Sequence, residues 1–457
     1  MNKNSSNSNW VQRDLRHIWH PCSQMKDYET FPPVEIERAE ESYLYTTSGK
    51  RLIDSTSSWW CKSLGHNHPR LKKALFAQAE KYEHVIGANT TQRPLVELSE
   101  ELWQLAPHLQ RVFYAGDGSM AVEIAMKMSL QAQALRSQEN RKRFMALENG
   151  YHGESAGALG ASHLGLYKAP YSALLPEVSF LKNIPYVLSA KDPLWQDCSA
   201  VWPELEKQLE EQADSLAAIL VEPLLQGAGG MLLYSADFLQ RLCTWASQKG
   251  IYVIADEIMT GFGRTGTALA CEQAGIQPDF ICLSKGLTSG WMPFSAVLIS
   301  DSMYDLFYGE YTPQTSFLHS NTYTGNALGA AIALETLKVY QEEDTFAQMR
   351  ENHIKWKKLF EQVASRTGLL TNIRGIGSMV AGDLILPEAL QGERVGLSVF
   401  KASVELGALL RPLGNTLYWL PPLNTPWEVM EELAEVTAKS ILQAMSNLNA
   451  TLATSNT

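Results

Sequence analysis

The chain has 457 residues, 45% of them hydrophobic and 19% charged, with a formal net charge of −11. That length allows two or three domains with sizeable cores, and the acidic balance argues against a nucleic-acid backbone as partner. Its six cysteines include no C-x-x-C pair, which argues against a zinc ribbon or disulfide framework and fits a reducing compartment.

The amino-terminal MNKNSSNSNW is polar and lacks a signal-peptide pattern, and no apolar run is long enough to span a bilayer. A cytoplasmic protein without a membrane partner is expected. Residues 1–9 read as a disordered tail. HIWHPCSQM (17–25) then gathers aromatic, histidine and proline residues. Residues 42–54, SYLYTTSGKRLID, alternate apolar and polar around Ser48-Gly49-Lys50 and predict a hairpin. Trp59 and Trp60 follow; adjacent in a strand, they would point to opposite faces. The H-x-H of His66 and His68 lacks further metal ligands around it, so no metal is expected.

Leu95, Leu98, Leu102 and Leu105 recur at helical spacing and predict a helix ended by Pro107. In RVFYAGDGSMAVEIAMKMSLQAQAL (111–135), Val112 to Ala115 reads as a strand, Gly116 to Ser119 as a turn, and Ala121 onward as a helix. Glu123 and Lys127 stand at i,i+4 spacing. A helix amino terminus after a glycine turn offers free N–H groups to an anion, which makes Gly118 and Ser119 candidates for holding a phosphate. Ala121 replaces the third glycine of the dinucleotide pattern, so a single phosphate suits the turn better than the pyrophosphate of a dehydrogenase cofactor. FMALENGYHG (144–153) reads as a strand and a turn carrying Tyr151 and His152, and an aromatic there can stack on a planar ring. Leu216 to Val221 is a buried strand that ends in Glu222-Pro223 before QGAGG.

Ile251 to Ala255 predicts another buried strand, ending in Asp256-Glu257, and Phe280 to Leu283 one ending in Ser284-Lys285-Gly286. A carboxylate and a lysine just past the carboxyl ends of parallel strands occupy the ligand crevice of an open α/β sheet. A lysine there can lose its proton and attack carbonyls, and an aspartate can hold a cationic ring nitrogen. These are the two protein groups that pyridoxal phosphate requires. After residue 330, alternating helices and short strands predict an α+β domain. Arg411 lies between apolar segments and reads either as a fork for a carboxylate or as one half of an internal salt bridge.

VIADEIMTGFGRTG, the lysine of SKG, NGYHG, GDGSMAVEIAMKM and HSNTYTGN (319–326) resemble the class III pyridoxal-phosphate aminotransferases. HIWHP, SSWW, EPLLQGAGG and RPLGNTLYWLPP resemble, within that group, the adenosylmethionine–8-amino-7-oxononanoate aminotransferases of biotin synthesis. The resemblance runs from about Trp10 to the carboxyl terminus. It implies an α/β protein of fold type I, with a large mostly parallel sheet domain (56–330) carrying helices on both faces. A smaller α+β domain (331–457) would pack with the segment 1–55.

The resemblance also implies a homodimer with shared active sites. Lys285 would be the Schiff-base lysine and Asp256 the partner of the ring nitrogen. Gly118 and Ser119 would hold the phosphate, with Asn321 and Thr322 reaching it from the neighbouring subunit, and Tyr151 would lie over the ring. Trp59, Trp60, Tyr151, Arg264, Ser320, Arg411 and Tyr418 would bind substrate, Arg411 meeting its carboxylate. The implied reaction converts 8-amino-7-oxononanoate to 7,8-diaminononanoate with S-adenosylmethionine as amino donor. The alternative is a class III enzyme using lysine or another amine, or a different keto acceptor. The sequence departs from the family pattern at Cys22, where an aromatic is usual, at Ser320-Asn321-Thr322, where Gly-Pro-Thr is common, and at Glu154, where aspartate is usual.

Overall fold

The computed structural model describes residues 8–455. Residues 1–7 of the expected disordered tail lie outside the described residues, whereas Ser8 and Asn9 belong to the opening helix Ser8–His17. A first antiparallel sheet follows, made of β1 (Ile36–Glu40), β2 (Tyr43–Thr46) and β3 (Arg51–Ile53). β2 and β3 form the expected hairpin. Gly49 turns it with a φ of 82°, and Thr46 Oγ1 accepts from Lys50 N at 3.0 Å.

The centre of the molecule is a seven-stranded sheet of β4 (Arg111–Ala115), β5 (Arg143–Leu147), β6 (Val178–Leu181), β8 (Leu216–Val221), β11 (Tyr252–Asp256), β12 (Phe280–Leu283) and β13 (Ser295–Ile299). Its spatial order is β4-β13-β12-β11-β8-β5-β6, and β13 alone runs against its neighbours. β7 (Tyr186–Val187), β9 (Leu225–Gln226) and β10 (Leu232–Tyr234) form a small antiparallel sheet.

The apolar runs are continuous because both faces of the large sheet are covered. Strand alternation divides each run between two cores. Ile219, Val221, Ala255 and Leu283 enter one, with Leu242 of the helix Ala236–Lys249 and Leu337 of the helix Ala327–Glu342. Ala218, Leu220, Ile254 and Cys282 enter the other, with Val122 and Ala125 of the helix Gly118–Leu135.

The remaining chain builds β14 (Leu370–Ile376), β15 (Met379–Leu384) and β16 (Thr416–Trp419), an antiparallel sheet. The helices Thr345–Thr367, Val395–Leu406 and Trp427–Ser455 accompany it. The amino-terminal segment meets this part of the chain directly. Ile53 N donates to Gly407 O at 2.9 Å, Arg51 pairs with Glu432 at 2.7 Å, and the Phe31 and Phe400 rings meet edge to face. Among the described residues no helix is long and apolar enough to cross a membrane, and the six cysteines are unpaired.

Candidate active site

β11 and β12 are parallel neighbours with Asp256 in register with Cys282, so Asp256 and Lys285 leave the sheet at the same edge. Lys285 opens a short 3₁₀ turn with a φ of 43°, a conformation that costs a non-glycine residue roughly 1–3 kcal/mol. Its Nζ lies 4.7 Å from the centre of the Trp60 ring. The residue keeps some solvent exposure, yet its amine is enclosed closely enough that burial lowers its pKa, with the charges of Asp256 and Glu222 pulling the other way. Gly227, of QGAGG, leaves room for this arrangement: a Cβ there would stand 2.6 Å from Met259 Cε and 3.3 Å from Trp60 Cζ3.

Behind Lys285 lies a buried cluster of three titratable groups. His152 Nδ1 and Asp256 Oδ2 are 2.8 Å apart, and since a carboxylate only accepts, the imidazole donates. Burial disfavours a charged His152, but the bond and charge of Asp256 outweigh it and raise its pKa. Asp256 Oδ1 accepts from Ile258 N at 3.2 Å. Burial pushes the Glu222 carboxyl up to about 7, opposed by His152 and reinforced by Asp256. Glu222 accepts from Tyr151 N at 2.9 Å and Gly227 N at 3.0 Å, and so ties the turn carrying Tyr151 to the QGAGG loop. The Tyr151 hydroxyl donates to Glu154 at 2.9 Å.

The candidate phosphate turn follows β4. Asp117 caps the helix Gly118–Leu135 by accepting from Met120 N at 3.0 Å. Gly118 and Ser119 stand in the first turn, where backbone N–H groups lack helical partners. A Cβ on Gly118 would meet Ile258 Cδ1 at 2.8 Å, and one on Gly153 would meet Ser119 Oγ at 2.4 Å. The two glycine turns therefore close on each other, and Ser119 Oγ also accepts from Ser155 N at 3.0 Å. The anticipated Glu123–Lys127 pairing is not made. Glu123 accepts from Gly157 N at 2.6 Å instead, and Lys127 Nζ meets His319 Nδ1 at 3.3 Å, because both side chains find partners on segments packed against the helix.

Trp59 and Trp60 are not in a strand. Residues Ser57 to Trp60 form a turn with φ of 49°, 45°, 70° and 73°, which sends the two indoles to separate neighbours. Arg411 stacks its guanidinium 4.7 Å from the Trp59 ring and donates to Cys22 O at 3.1 Å; among the described residues it makes no ion pair. Trp60 Nε1 donates to the Tyr418 hydroxyl at 3.0 Å.

Arg264 lies deeper, 2% exposed, donating to Pro421 O at 2.7 Å and Trp60 O at 3.4 Å, and burial lowers its pKa to about 10. It joins the turn of Trp60 to the chain after β16. Ser320, Asn321 and Thr322 precede the helix Ala327–Glu342. Their approach is fastened near the carboxyl-terminal end of the helix Gly118–Leu135, Gln131 Nε2 donating to Ser316 O at 3.1 Å. His66 bonds Asp54 at 2.8 Å, and no group of metal-ligating side chains occurs among the described residues.

Sequence reasoning missed Asp54 and the anchoring by Glu222, and it met His152 without seeing its partner. The available signal was the same for each carboxylate: an acidic residue directly after an apolar strand, as at Asp256.

The class III aminotransferase family profile matches residues 24–441. The chain belongs to the class III aminotransferases. It is 39% identical to the adenosylmethionine-8-amino-7-oxononanoate aminotransferase of Helicobacter pylori, over 93% of this chain and 96% of that one. Its identity to the Synechococcus elongatus enzyme of the same name is 38%, over 92% and 97%. Among solved structures it resembles that enzyme from Methanocaldococcus jannaschii, with a TM-score of 0.87 and 29% identity over 95% of this chain and 98% of that chain. It also resembles a pyridoxal-phosphate-bound amine transaminase from an uncultivated Pseudomonas species, with a TM-score of 0.85 and 28% identity over 94% and 98%. The cofactor of this aminotransferase is pyridoxal phosphate, and the residues present fit it. They offer an amine that burial deprotonates more readily, a carboxylate fixed by His152, and a helix-terminal turn whose close packing requires glycine at 118 and 153.

Proposed function

We propose that the chain transfers an amino group from S-adenosylmethionine to 8-amino-7-oxononanoate, giving 7,8-diaminononanoate for biotin formation. The observation that carries amino transfer is the emergence of Lys285 and Asp256 from adjacent parallel strands. The relatives of the same name support the substrate assignment.

Bound pyridoxal phosphate supplies a cationic ring that accepts the electron pair left when the donor carbon loses its proton. Asp256, held by His152, keeps the proton on the ring nitrogen. Gly118 and Ser119 bind the phosphate through N–H groups and the Ser119 hydroxyl. Lys285 Nζ would hold the cofactor covalently until the donor amine displaces it, and the freed amine would then take the proton from the donor carbon as a general base and deliver it as a general acid. Trp60 walls off Lys285, and Arg411, flattened on Trp59, forks the acceptor carboxylate. The same groups then run the transfer in reverse on the acceptor ketone, which predicts ping-pong kinetics.

Tyr151 covers the ring, Ser320, Arg264 and Tyr418 border the substrate pocket, and Asn321 and Thr322 reach the phosphate from the neighbouring subunit of a homodimer. The segment 1–55 and the residues 331–457 act as one small domain beside 56–330, which the contacts of Ile53, Arg51 and Phe31 support. A cytoplasmic setting agrees with six unpaired cysteines.

The likeness to amine transaminases favours a second reading, in which another amine is the donor. The test is to load the purified protein with pyridoxal phosphate and follow its visible absorbance while donors are added. Bleaching by S-adenosylmethionine, recovery with 8-amino-7-oxononanoate and formation of the diamine are expected. Bleaching by lysine but not S-adenosylmethionine would replace the donor, and no recovery with the ketone would overturn the acceptor.

A further inference from the structure

The turn that carries Trp59 and Trp60 is unusual in its backbone. None of its four residues with positive φ is glycine, and L-residues enter that region singly and at a cost. A run of four persists only where the surroundings hold it. Trp60 N donates to Thr56 O at 2.8 Å and Cys61 N to Ser57 O at 3.0 Å, which closes the turn. A carboxylate upstream fixes its place.

Asp54, at the end of β3, is 0% exposed. It accepts from Ser58 N at 2.9 Å, Ser58 Oγ at 2.7 Å and His66 Nε2 at 2.8 Å. His66 is itself pinned, its backbone N donating to Glu41 O at 2.7 Å. Burial pushes the Asp54 carboxyl up, but the bonds from His66 and Ser58 outweigh burial and hold it below its ordinary value. Asp54 is therefore an anion whose hydrogen bonds reach the turn and not Lys285, Asp256 or Arg411. The two residues after Ser58 carry the indoles that touch Arg411 and Lys285.

We propose that Asp54, with Ser58 and His66, is a positioning group that locks the left-handed turn and so presents Trp59 to Arg411 and Trp60 to Lys285. It acts on acceptor binding through one indole and on the proton-moving amine through the other. Side chains in a site must be held close to their productive geometry, and small displacements are costly. The functional part of this inference rests on the proposed roles of Arg411 and Lys285.

The test uses Asp54→Asn in the full, cofactor-loaded chain. The amide keeps an acceptor for Ser58 N but cannot accept from both Ser58 Oγ and His66 as the carboxylate does. The expected result is a rise of about ten- to a hundredfold in KM for the carboxylate-bearing acceptor, with the cofactor retained. The near-ultraviolet circular dichroism of the cofactor-free chain should change as well, because the indoles lose their fixed surroundings. Adding Ser58→Gly, which adopts positive φ freely, should restore part of both signals. In a Trp59→Ala background Asp54→Asn should no longer affect that KM, since the carboxylate acts through the indole.

A lower melting temperature with unchanged KM and dichroism would overturn the inference, as would full additivity with Trp59→Ala. Should Asp54→Asn fail to fold, Ser58→Ala leaves the Asp54–His66 bond in place and carries the same test. Failure of the unaltered enzyme to use the ketone would overturn the proposed reaction instead, while the dichroism still decides the positioning.

Discussion

Replacing His152 with alanine removes the donor 2.8 Å from Asp256 Oδ2. Asp256, 4% exposed, then keeps the 3.2 Å bond from Ile258 N on its other oxygen and still lies beside the buried Glu222 carboxyl. Breaking one side of a buried pair destabilises a protein by about 3–5 kcal/mol, and denaturant unfolding of the cofactor-free chain should show a loss of that size. Because the Asp256 bond raises the pKa of His152 above its ordinary 6.5, the charged part of this stabilisation is full below that pH. It fades as pH rises through the raised value.

The functional cost follows from orientation. A hydrogen bond to a charged group contributes about 1.5–3 kcal/mol, so a carboxylate free to turn from the ring nitrogen should slow amino transfer by about ten- to a hundredfold. Single-turnover bleaching of the bound cofactor by the donor measures it. His152→Asn, whose amide can still donate, should recover much of both losses. Wild-type unfolding and rates in His152→Ala would refute the reasoning, and so would an asparagine variant no better than alanine.

Lys285→Ala should abolish covalent attachment of the cofactor, read as absence of borohydride-stable label, and slow proton transfer by about a hundredfold or more. Arg411→Ala should raise KM for the carboxylate acceptor by about ten- to a hundredfold, the loss of a charge-assisted bond, with a smaller change in kcat under steady state. Glu222, with its carboxyl held up at about 7 against an ordinary 4.5, keeps its proton in the folded chain where the unfolded chain has lost it. Its contribution to stability should therefore fall as pH rises from about 4.5 to about 7, by up to about 3 kcal/mol. Unfolding curves of the wild type and Glu222→Gln across that range check this, because the glutamine variant lacks that slope.

The sequence by itself determined the central strands and the functional groups at their ends. Continuous apolar runs such as LAAILV (216–221) are what a strand covered on both faces requires, and Asp256 and Lys285 mark where two such runs stop. β6 and β13 were not legible. Their runs, VSFL and SAVLI, are short, and β13 returns antiparallel beside β12 without the crossover helix that announces a parallel strand.

Only tertiary structure decided the left-handed turn at Ser57–Trp60. Nothing in S-S-W-W signals positive φ, because the conformation is imposed by Asp54 and, through it, by His66. The same holds for Trp60 on Tyr418, Arg264 on the Pro421 carbonyl and Arg411 on Trp59. Each joins residues more than 140 positions apart. Periodicity and turn chemistry act between near neighbours and can be read along the chain, whereas these contacts exist only after the chain closes on itself. The chemistry of the site was therefore legible as residue types, and the geometry that orients them was decided by the fold.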